Sequence, residues 1–147
     1  MYKVIVVGTD GSARAGIAVR QALELAKSGG ATLHLVHVVR TTGMLGSEYG
    51  DATAIAAAHA EMHGEGQRIC RQVAADAKRE GVPAEIHNVD GDPADVLLKV
   101  AEAVDADLVV IGNRGMSGIK RFVLGSVPNK VSHHCPCSLL IVNTDAT

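Results

Sequence analysis

Short apolar runs alternate with longer stretches of helical spacing along this chain, and glycine, proline or a capping side chain marks most boundaries. Lys3 to Gly8 (KVIVVG) and Ala31 to Val39 (ATLHLVHVV) are β-branched and nearly all apolar, as strands covered on both faces should be. Asp107 to Gly112 and Cys137 to Val142 repeat the pattern, and Pro83 to Val89 (PAEIHNV) alternates, with Pro83 at an edge-like start. Between the first two runs, Ser12 suits the N-cap of a helix that stops at Gly29–Gly30. Asp92 and Pro93 supply an N-cap and a first helical residue ahead of ADVLLKVAEAVDA. A further helix is predicted from about Thr53 to Glu80, loose or broken at Gly64 and Gly66, since each glycine costs roughly 1 kcal/mol in a helix interior. Arg40 to Asp51 is turn-rich and aperiodic, and His34 and His37 have opposite strand parity, so they are not expected both to face a core.

Five strands alternating with four helices predict an α/β fold: one doubly wound domain over residues 1–147, a parallel sheet with helices on both faces, Rossmann-like. A chain of 147 residues can bury a core of its own without disulfide staples. That core is aliphatic, because 47% of the residues are hydrophobic yet there are only two Tyr, one Phe and no Trp. With 14 Lys+Arg against 16 Asp+Glu, the chain lacks the basic footprint of a nucleic-acid binder. No apolar run approaches the roughly 18 residues needed to span a membrane. The start has no cleavage region, and three cysteines make no secreted disulfide framework, so a cytoplasmic location is expected.

In doubly wound folds ligands sit beyond the C-terminal strand ends, where the strand order reverses. Two polar loops follow strands there: Thr9-Asp10-Gly11-Ser12, and the stretch Gly112 to Ser126, GNRGMSGIKRFVLGS. Glycines let backbone amides approach a ligand, and the helix start at Ser126 adds unpaired N–H groups, which suits a phosphate. Arg114, Lys120 and Arg121 add positive charge. Asp10 could hold a sugar, a base or Mg²⁺ against phosphates; equally, it could be a turn aspartate. The stretch is neither a Walker A loop nor a dinucleotide fingerprint.

Other polar clusters read more plainly. His133, His134, Cys135 and Cys137 look metal-like, but Cys-x-Cys is tighter than the usual zinc knuckle and has no second knuckle elsewhere. His59 and His63 in HAEMH read as a solvated helix face, because the glutamate is misplaced for a zinc protease. No metal site and no catalytic residue is expected.

Gly112-x2-Gly115-x9-Gly125-Ser126, the opening VIVVGTDGS and the ending VLGSVPNKVSHHCPCSLLIV together resemble the universal stress protein family. The resemblance implies a five-stranded sheet in the order 3-2-1-4-5 and a homodimer paired through the last strand, residues 138–142. It also implies ATP binding, with Asp10 near the adenosine, the Val38 backbone at adenine, and Gly112 and Gly115 along the ribose and phosphates. Gly125, Ser126 and Val127 would hold the phosphate chain, and Mg²⁺ could accompany ATP. Many ATP-binding members carry Ser or Thr where this chain has Pro128, which leaves AMP or cyclic AMP open. The expectation is an adenine-nucleotide-binding stress-response or regulatory protein. A slow Mg-dependent ATPase, and a structural or partner-binding dimer without nucleotide, are the alternatives.

Overall fold

Every predicted run forms its element in the computed structural model, which describes residues 1–40, 51–114 and 124–145. The strands are β1 (Val4–Gly8), β2 (Thr32–Val39), β3 (Ala84–Asp90), β4 (Leu108–Gly112) and β5 (Ser138–Val142). The helices are α1 (Ala13–Gly29), α2 (Ala52–Arg79), α3 (Pro93–Ala103) and α4 (Ser126–His134). The sheet is parallel throughout, in the order β3-β2-β1-β4-β5. Helix ends follow the local chemistry expected of them. Ser12 Oγ accepts from Ala15 N at 3.1 Å, Asp92 Oδ2 accepts from Asp95 N at 3.1 Å, and Gly30 closes α1 at φ 63°.

Strand alternation splits the apolar residues into two cores, one on each face. Ile5, Val7, Leu33, Leu35 and Val110 pack with Ala18, Ala22 and Cys70 under α1 and α2. Val6, Val36 and Val109 pack with Leu97, Val100 and Val131 under α3 and α4. This duplication corrects the reading of His34 and His37. They do lie on opposite faces, yet each face has a core, so His34 is only 6% exposed and His37 is half-buried, hydrogen-bonded to Asn88 Oδ1 at 3.0 Å.

The second correction concerns α2, which runs unbroken from Ala52 to Arg79. Gly64 has no heavy atom of the described residues within 4 Å of where a Cβ would stand. Gly66, by contrast, is buried, and a Cβ there would come within 2.5 Å of His37 Cε1 and 2.7 Å of Asn88 Oδ1. Gly66 is where the helix backbone closes on the sheet, and that packing offsets its poor helix propensity.

Candidate functional site

The chain winds from β1 outward to β3, then crosses back to β4 beside β1, so the order reverses between β1 and β4. A crevice of about 1040 Å³ opens there. Thr9, Asp10, Val38, Gly112, Gly125, Ser126 and Val127 all line it. Gly115, Lys120 and Arg121 lie outside the described residues.

The lip after β1 is a set of local hydrogen bonds. Thr9 Oγ1 accepts from Gly11 N at 3.1 Å, and Asp10 Oδ1 accepts from Ser12 N at 2.9 Å, while Ser12 caps α1. Asp10 is therefore a turn aspartate and, being exposed at the crevice, also has a carboxylate within reach of a ligand. Gly11 sits at φ 81°, and a Cβ there would stand 2.5 Å from Ile69 Cδ1 of α2. The back wall comes from β2. Val36 O accepts from Thr9 N at 2.9 Å, so the Val36 backbone faces β1. Two residues on, Val38 has the same parity, and its N–H and C=O point past the end of β1 into the crevice.

The opposite lip is the start of α4. Gly125 occupies the N-cap and makes no side-chain cap hydrogen bond, leaving the Ser126 and Val127 amides at the helix start. Pro128 stands at the third helical position and contributes no N–H. Asn113 holds this lip in place: its O accepts from Gly125 N at 3.1 Å, and its N–H donates to Val142 O at 2.9 Å. Its Oδ1 accepts from both Thr144 N at 3.0 Å and Thr144 Oγ1 at 2.8 Å. Thr144 is 4% exposed, so the polar tail is partly built into the site. Arg114 also lines the crevice, but it is nearly buried and ion-paired with Asp145 at 2.9 Å, which reduces the positive charge it offers a ligand.

Sequence reading missed the contribution of α2, whose Met62, Glu65 and Ile69 line the crevice. Their spacing of three and four residues is the available signal, since it places them on one helical face. Arg68 grips Glu65 through Nε at 3.0 Å and Nη2 at 2.5 Å, and that hydrogen bonding holds the Glu65 carboxyl below its usual range.

The remaining candidates settle elsewhere. His59 is tied to Asp90 at 2.8 Å, so it is more than a solvated helix residue. The Cys135 and Cys137 thiols lie 4.0 Å apart, and burial, then the neighbouring Cys135, pushes Cys137 up to about 12. Burial pushes the Cys70 thiol up to about 11. Among the described residues, the place where three His, Cys, Asp or Glu ligand atoms lie within 4.8 Å of one another is His34, Glu85 and His87, away from those cysteines.

The family model described as the universal stress protein family matches residues 1–143. The chain belongs to the universal stress protein family. Among curated relatives, universal stress protein YxiE of Bacillus subtilis is 35% identical over 97% of this chain and 99% of its own length. A solved universal stress protein in complex with cAMP is 32% identical, with a TM-score of 0.74, covering 98% of both chains. The hypothetical protein MJ0577 is only 22% identical yet has a TM-score of 0.87, covering 100% of this chain and 99% of its own, and so shares the fold. Among the described residues, no helix of this universal stress protein is long and apolar enough to cross a membrane.

Proposed function

We propose that this universal stress protein is a regulatory module that binds an adenine nucleotide in the crevice between the β1 loop and the start of α4. The observation that carries this reading is the convergence of Thr9, Asp10, Val38, Gly112, Gly125, Ser126 and Val127 on one cavity at the strand-order reversal. Its chemistry suits the ligand. The Val38 backbone offers one donor and one acceptor to an adenine edge, Asp10 offers a carboxylate to a ribose hydroxyl, and the Ser126 and Val127 amides offer a helix N-terminus to phosphate. The relative solved with cAMP, 32% identical along nearly the whole chain, adds support.

Pro128 shortens the phosphate end, which favours a nucleotide with few phosphates over ATP. Titrating nucleotide-free protein with ATP, AMP and cyclic AMP tests the proposal. Micromolar binding of at least one is expected; flat titrations with all three would end it. A slow Mg-dependent ATPase is the second reading, favoured by the exposed Asp10 carboxylate on the crevice rim. ATP loss that persists in Asp10→Ala would remove that reading.

We also propose a homodimer paired through β5. β5 is a sheet edge whose Leu139, Leu140 and Ile141 are only half-buried in one chain, and such an edge invites a partner strand. A cytoplasmic location accords with three cysteines that are all free.

A further inference from the structure

On the α3 side of the sheet, the β3 margin carries a polar cluster that the nucleotide crevice does not use. Parallel register sets His34 of β2 beside Glu85 of β3, and Val36 beside His87. Residues two apart on a strand share a face, so Glu85 and His87 both project beside His34. His34 Nδ1 lies 2.9 Å from His87 Nε2 and 3.6 Å from Glu85 Oε2. The two rings are tilted by 34°, with centroids 5.2 Å apart, so ring nitrogens meet rather than ring faces.

We propose that His34, Glu85 and His87 bind one divalent transition-metal ion of the zinc class. A tetrahedral zinc ion with bonds of about 2.0–2.1 Å holds its ligand atoms about 3.3 Å apart. The two separations from His34 Nδ1, 2.9 and 3.6 Å, bracket that value, and all three ligand atoms lie within 4.8 Å of one another. Two imidazoles and one carboxylate suit zinc, cobalt, nickel or copper, whereas magnesium and calcium prefer all-oxygen shells. Burial is graded across the cluster: His34 is buried, His87 half-buried and Glu85 exposed. An ion held there has a dry side against the sheet and a fourth position open to water or a small anion. It also ties β3, the sheet margin, to β2. The competing occupant is a proton, shared between the imidazoles with Glu85 as counter-ion, and the two make different predictions.

The test uses the full chain, stripped with chelator and free of nucleotide, titrated with cobalt(II) and then with zinc(II). One equivalent of cobalt should bind with visible ligand-field bands of a four-coordinate site, and zinc should erase them. Zinc should also raise the melting temperature in proportion to the logarithm of its free concentration. His34 is in the core, so the variants are His87→Ala and Glu85→Gln, at the more exposed positions. Each should weaken binding at least about tenfold while keeping the native circular dichroism spectrum. A His59→Ala/His63→Ala chain should bind like the parent, which excludes capture by the α2 histidines. Unchanged affinity in both single variants, or cobalt binding without those bands, would overturn the site. Neither result bears on the crevice, whose nucleotide titration is independent.

Discussion

The two lips of the crevice handle their backbone amides in opposite ways. After β1, side chains of the same loop take them: Thr9 accepts from Gly11, Asp10 from Ser12, and Ser12 from Ala15. At α4 the capping position is Gly125, which has no side chain to offer, and Ser126 and Val127 at the helix start line the cavity. Among the described residues, the first lip's amides have side-chain acceptors, whereas the α4 N-cap supplies none. Under the proposed function, the β1 lip sets shape and stability, and the α4 lip supplies affinity for an anion.

Supplying the missing cap gives the sharpest way to break this contrast. Gly125 has φ −59°, open to any residue, and a Cβ there would lie 3.3 Å from Asn113 O, a tight fit that needs a slight shift. Gly125→Asp should occupy the amides with its own carboxylate and repel phosphate. Nucleotide affinity should fall about 100-fold by calorimetry, or ~3 kcal/mol, while stability changes by only a few tenths of a kcal/mol. Gly11→Ala should do the reverse. The strain of φ 81° and the clash with Ile69 should cost about 1–2 kcal/mol in urea unfolding. Ser126→Ala, which removes a hydroxyl from the α4 lip, should weaken AMP about tenfold and leave the melting temperature alone. Pro128→Ser is the mildest change. By restoring an amide and a hydroxyl, it should raise the ratio of ATP to AMP affinity, by less than about tenfold. If Gly11→Ala and Gly125→Asp shift binding and stability in equal proportion, the division between the lips is wrong.

Local chemistry explains how much of this was legible in the sequence. Apolar β-branched runs fix β1, β2 and β4 to within a residue, because a strand covered on both faces has few alternatives. Ser12, Asp92 and Gly30 mark helix ends through bonds to residues close in sequence. What escaped was set by contacts distant in sequence. Gly66 reads as a helix breaker until β2 and β3 are laid against it and His37 and Asn88 turn out to need its missing side chain. The crevice face of α2 is equally silent, since Met62, Glu65 and Ile69 look like any amphipathic spacing. His34, Glu85 and His87 become a cluster only once the β2–β3 register is known.

Asn113 ties three segments that are separate in sequence: the end of β4, the first turn of α4 and the strand-and-tail segment from Val142 to Thr144. Under the proposed function, a phosphate that shifts Gly125 would act on the Asn113 carbonyl, and the Asn113 N–H holds Val142, the last residue of the margin proposed to meet a second subunit. Thermodynamic reciprocity then ties the two events: whatever factor ligation adds to subunit affinity, subunit pairing adds to ligand affinity. If both proposals hold, Asn113 is a hinge pin between ligand binding and subunit pairing.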